Sequence, residues 1–99
     1  MYNASEDLTI NKLILLYLLS EVKMPLSLSQ ITQIILERGY TNYFSFQQYL
    51  NELDNSNFIT ITRENNTSYY EITEKGLEAL NFFSSRIPSA IITELKQYI

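Results

Sequence analysis

Four amide side chains, Gln47, Gln48, Asn51 and Asn55, recur at spacings that gather them on one side of an α-helix. Gln and Asn can each make a bidentate hydrogen-bond pair with N6 and N7 of adenine in the major groove of duplex DNA. A helix offering amides in place of Arg or Lys favours A·T-rich sequence. Other polar groups flank it. Ser27, Ser29, Tyr40, Asn42, Tyr43 and Ser45 can hydrogen-bond phosphate oxygens, and Arg63 with Asn65, Asn66 and Thr67 can reach phosphate or minor groove. Plainer roles exist for each: Gln48 fits a helix cap, Asn65-Asn66 a turn, Gln47, Asn51 and Asn55 a solvated face, and Tyr43 a cover over the core.

Other chemistries have little to work with. The chain has 99 residues, no Cys and no His. Disulfides, zinc-thiolate sites and thiol catalysis are excluded, and the commonest general base and transition-metal ligand are absent. There is no Gly-rich phosphate loop. The pairs Glu71 with Glu74 and Glu37 with Glu52 have nothing to set them apart from surface carboxylates. The chain is therefore not expected to be an enzyme, and no cofactor or metal is expected.

Charge argues against strong electrostatic partners. Seven Lys+Arg stand against eleven Asp+Glu, a net charge of −4. From Ser27 to Thr67 the cations are Arg38 and Arg63 and the anions Glu37, Glu52, Asp54 and Glu64, so two minus four gives −2. DNA affinity comes largely from phosphate neutralisation and counterion release, and this face offers little of either. The longest apolar run, Leu13 to Leu19, is far short of the roughly 20 residues a membrane helix needs. The start of the chain is polar and acidic, without the basic n-region of a secretory signal. The expectation is a cytoplasmic protein with no membrane partner.

The elements that must position these residues follow from periodicity and punctuation. Residues ~8–23 read as a helix, apolar on more than one side. Ser27-Leu28-Ser29-Gln30 has the form of a capping box, opening a helix that ends near Arg38 with Gly39 at its left-handed C′ position. After a short turn from Tyr40 to Phe44, Ser45-Phe46-Gln47-Gln48 reads as a second box. Its helix, ~45–56, places Phe46, Tyr49, Leu50 and Leu53 on one face. Phe58–Arg63 and Ser68–Ile72 alternate with period two around Asn65-Asn66. Closing that turn pairs Glu64 with Thr67, Ile61 with Tyr70 and Ile59 with Ile72, putting those four apolar residues on one side. Thr73 caps a helix over ~74–86 with Leu77, Leu80, Phe83 and Ile87 as its stripe. Pro88 opens a last helix carrying Ile91, Ile92, Leu95, Tyr98 and Ile99.

The order α-α-α-β-β-α-α is a mainly α fold with a small β-hairpin wing, a winged helix-turn-helix. It makes one domain over 1–99, with the helix-turn-helix at about 28–56, the wing at about 58–73 and the C-terminal helices at about 74–98. A plain helical bundle is disfavoured by the β-branched, alternating stretch 58–72.

The stretch Tyr70-Glu71-Ile72-Thr73-Glu74-Lys75-Gly76 resembles the Tyr-x-[Ile/Leu]-Thr-x-x-Gly signature at the wing-to-helix junction of bacterial winged-helix regulators, including PadR-like and MarR-like proteins. Asn11–Tyr17, Asn42–Leu50 and Phe82–Pro88 resemble more closely an uncharacterised bacterial winged-helix family described as transcriptional regulators. That likeness covers nearly the whole chain. Members of that family usually carry a further C-terminal segment, which the resemblance implies is missing here. It also implies transcription regulation, with helix ~45–56 in the major groove and dimerisation through terminal helices. Surplus apolar residues on those helices, Leu8, Leu16, Leu19, Phe82, Ile91, Leu95 and Tyr98, are the candidates for a homodimer interface. The alternative is that the last helix folds back on the first and uses the surplus internally. The expected partners are thus a second copy and A·T-rich duplex DNA. A protein-interaction module with little or no DNA affinity is the competing reading.

Overall fold

The computed structural model describes residues 9–97. Helix α1 (Ile10–Glu21) leads through strand β1 (Leu26–Ser27) into α2 (Leu28–Glu37) and α3 (Tyr43–Asn55). Strands β2 (Ile59–Glu64) and β3 (Thr67–Ile72) form a hairpin, and α4 (Glu74–Phe83), a 3-10 turn (Ser84–Arg86) and α5 (Ser89–Lys96) follow. The described chain is mainly helical, with one three-stranded antiparallel sheet in the order β1-β3-β2. No helix among the described residues is long and apolar enough to cross a membrane.

Helix α1 is the centre of the core. Leu13, Ile14, Leu15, Leu16, Leu18 and Leu19 are all buried, and so is Lys12. The helix packs against α4, β3 and α3. Its apolar residues on several sides are thereby covered by elements of the same chain. Ile31 and Ile35 of α2, Phe46, Leu50 and Leu53 of α3, and Leu95 of α5 close the core around it.

Local chemistry sets the helix ends. Ser27 and Gln30 make the reciprocal capping box: the Gln30 N–H donates to Ser27 Oγ at 3.2 Å, and the Ser27 N–H donates to Gln30 Oε1 at 2.8 Å. At the other end of α2, Gly39 takes φ +73°. The Tyr40 N–H reaches the Ile35 carbonyl and the Gly39 N–H that of Leu36, the two bonds of a Schellman motif. Asn57 repeats the motif after α3 at φ +63°, with Phe58 bonded to Leu53. The second capping box is not formed. Asn42 caps α3, its Oδ1 accepting from the Ser45 N–H at 2.8 Å, so the helix begins at Tyr43. Ser45 then sits inside the first turn, and Gln48 is released to donate to Glu52.

The hairpin has the expected register, with Ile59 opposite Ile72, Ile61 opposite Tyr70 and Glu64 opposite Thr67. Both turn residues are left-handed, Asn65 at φ 51° and Asn66 at φ 66°, which matches a type I′ turn to the twist of the strands. Burial fades toward that turn: Ile59 is buried, while Ile61 on the same side is exposed. A third strand joins them. Leu26 pairs with Tyr70 and Ser27 with Tyr69, so the residue that caps α2 also belongs to the sheet.

The buried stripe of α4 is Gly76 and Leu80, continued by half-buried Phe83, and Ile87 lies buried past the 3-10 turn. Leu77, expected in that stripe, is 41 % exposed. Close seating of Gly76 against the Phe58 carbonyl oxygen explains the rotation, because a Cβ at Gly76 would collide with that oxygen. Thr73 fixes the approach. Its Oγ1 accepts from the Gly76 N–H at 2.9 Å and donates to the Asn57 carbonyl at 2.7 Å, while its own N–H donates to the Phe58 carbonyl at 3.0 Å.

Candidate nucleic-acid interface

The buried face of α3 carries Phe46, Leu50 and Leu53. On the opposite side Phe44, Gln48, Asn51 and Asn55 are exposed, at spacings of four, three and four residues. They form one uncharged ridge along the helix. Gln47 is half-buried, and its Nε2 donates to the Tyr43 hydroxyl at 3.1 Å. Tyr43 also lies against Phe46, with ring centroids 6.4 Å apart. The amides therefore divide. Gln47 supports Tyr43 and Gln48 reaches Glu52, whereas Asn51 and Asn55 stand in solvent. Phe44, 84 % exposed, was not among the sequence candidates because the helix was expected to begin after it.

Several residues expected to meet phosphate come together at the start of α2. Ser27, Ser29, Arg63 and Asn66 line one cleft of about 300 Å3, together with Leu28, Thr67 and Ser68. The N-terminal end of a helix favours an anion through its partial positive charge. Arg63 is held over the cleft by Nη1 donating to Ser68 Oγ at 3.1 Å. Asn65 is exposed at the turn beside it. Asn42 and Ser45 are engaged at the start of α3, as cap and capped N–H. Tyr40 is employed elsewhere, its hydroxyl donating to Glu94 Oε1 of α5 at 2.6 Å.

The charges on α3 are arranged so that its ridge stays neutral. Glu52, one of the four anions between Ser27 and Thr67, binds Lys12 of α1 at 2.7 Å and accepts from Gln48 at 3.1 Å. Lys12 lies in the core at 5 % exposure. Arg38 pairs with Glu94 at 3.7 Å. Counting those partners leaves the face at −2, since Lys12 and Glu94 cancel. What changes is the placement, with no charged side chain on the ridge itself. Beneath the helix, burial pushes the Tyr70 hydroxyl above its ordinary pKa. The Asp54 carboxylate adds to this and Arg63 opposes it, so Tyr70 stays a neutral phenol.

A family model described as Domain of unknown function (DUF4364) matches residues 11–99. The chain belongs to the DUF4364 family. Neither a curated protein nor a solved structure matches it. In this DUF4364 chain the matched span contains α1 from Asn11 onward, the cleft, the ridge and α5, and so every candidate from Ser27 to Asn66.

The same packing places the residues expected at a self-association surface. Leu16, Leu19 and Leu95 are buried in the core of the DUF4364 chain itself, where α3, α4 and β3 pack against α1. Ile91 is half-buried against that core. Leu8 and Tyr98 lie outside the described residues. Among the described residues of that set, Phe82 alone is largely exposed, at 80 %. Its ring meets the edge of Phe83 at a centroid distance of 4.8 Å, and Arg86 lies over the Phe83 ring.

Proposed function

We propose that this protein is a cytoplasmic, DNA-binding transcription regulator of winged-helix type. In this reading α2 and α3 are the helix-turn-helix, α3 is the recognition helix and the β2–β3 hairpin is the wing. The observations that carry it are the neutral ridge of Phe44, Gln48, Asn51 and Asn55 and the cleft that brings together Ser27, Ser29, Arg63 and Asn66. An α-helix fits the major groove, and Asn is matched to adenine there. Titration of an A·T-rich duplex at low salt tests it. Asn51→Ala is expected to weaken binding roughly ten- to hundredfold, the discrimination of one bidentate pair. Gln47→Ala is expected to do less, because its amide is held by Tyr43. The charge of −2 between Ser27 and Thr67 favours the competing reading, a protein-interaction module. The absence of duplex binding at any salt, with capture of a protein partner, selects that module.

The regulator is proposed to act as a homodimer through the α4 surface centred on Phe82. Sedimentation at high protein concentration is expected to give a dimer, and Phe82→Ser a monomer that melts at the same temperature. A wild-type monomer at that concentration overturns the dimer.

A further inference from the structure

Phe44 has no structural employment that explains it. Among the described large hydrophobic residues it is the most exposed, at 84 %, although its neighbour Tyr43 packs on Phe46 and receives Gln47. An isolated exposed apolar residue is ordinary, but the place of this one is not neutral. It stands on the first turn of α3 and opens the ridge that continues through Gln48, Asn51 and Asn55. In a helix lying in the major groove, the N-terminal residues are the ones that reach base edges. The groove presents one apolar group there, the C5-methyl of thymine, and Phe is among the side chains that contact it. The rest of the ridge offers amides, which match adenine. Both halves of an A·T pair thus find a partner of their own chemistry along one helix face.

We infer that Phe44 reads thymine by packing its ring on the C5-methyl group, so that the A·T preference rests on an apolar contact as well as on amides. The inference rests on the DNA-binding reading above. Its test compares alternating dA-dT duplex with alternating dA-dU duplex, which differ only in that methyl. Wild-type protein is expected to bind the dU duplex roughly fourfold more weakly for each methyl contacted, the value of one buried methyl-sized group. Phe44→Ala is expected to keep its melting temperature, since the ring is solvated, and to bind both duplexes alike. Equal wild-type affinity for the two duplexes, or a preference for dT that survives in Phe44→Ala, overturns the inference while leaving DNA binding intact. Failure of the wild type to bind either duplex overturns the DNA-binding reading and this inference with it. If Phe44→Ala instead converts a dimer to a monomer in sedimentation without DNA, the ring serves self-association and the thymine contact is refuted.

Discussion

Replacing Gly76 by Ala is expected to destabilise the protein by about 2 kcal/mol, and Gly76→Val to prevent stable folding. A Cβ at this position meets the Phe58 carbonyl oxygen at less than contact distance, and Ile72 Cγ1 at 3.0 Å. The first obstacle is backbone, and it is held in place by the Thr73 N–H, so it cannot swing aside as a side-chain end would. Overpacking of this kind costs typically about 1–3 kcal/mol, and the fixed carbonyl puts the cost at the upper end. Ala returns about 1 kcal/mol of that through its better helix propensity. For a domain of this size a 2 kcal/mol loss corresponds to a melting temperature lower by roughly 8–16 °C. A thermal melt checks it. An unchanged transition for Gly76→Ala would mean that α4 does not seat on the 57–58 corner as described.

The second large effect concerns Lys12 and Glu52. Removing one partner of a buried ion pair strands the other, at about 3–5 kcal/mol when both are enclosed. Here the enclosure is one-sided: the Lys12 side chain is 6 % exposed and that of Glu52 40 %. Glu52→Ala should therefore be the costly change, by about 2 kcal/mol after allowance for water reaching the site. Lys12→Met should cost under about 1 kcal/mol, because Met fills the same core space and Glu52 is left where water can hydrate it. Denaturant unfolding of the two variants measures the asymmetry, and equal losses would contradict it. Lys12→Met also carries a functional consequence. It removes the Lys12 charge that faces the Glu52 carboxylate of α3, and duplex affinity at low salt should fall although the fold survives.

Much of this architecture was legible because it is written in adjacent residues. The box at Ser27 and Gln30, the left-handed Gly39, the Asn65-Asn66 turn and the Thr73 cap each depend on a few neighbouring atoms, and the turn fixes the strand register by itself. The start of α3 was harder, because Asn42 and Ser45 are both good caps and the path of the chain into the helix decides between them. Strand β1 has two residues, too few for a period, and is recognised only by its pairing with β3. Leu77 was placed in the core by spacing alone, and the contact of Gly76 with a distant carbonyl turns it outward.

The candidate site was legible in its parts and not in its arrangement. Residue types suggested phosphate contacts for Ser27, Ser29, Arg63 and Asn66, but their convergence on one cleft depends on β1 pairing with the hairpin. The burial of Lys12 was not legible, since Lys is rarely buried unless paired. Its partner lies 40 positions away on another helix, beyond any local pattern. The surplus apolar residues of α1 looked like an intermolecular surface for a related reason. Periodicity counts apolar sides, but it does not reveal that one helix is surrounded by its own chain.

The account stands on α3 and the hairpin engaging duplex DNA with little help from charge. The most direct measurement is the affinity of the wild-type protein for an A·T-rich duplex over a range of salt concentrations. With Arg63 and Arg38 as the cations between Ser27 and Thr67, a dimer neutralises about two to four phosphates. Log affinity should then fall against log salt with a slope between about −2 and −4. Absence of binding even at the lowest salt would contradict the account.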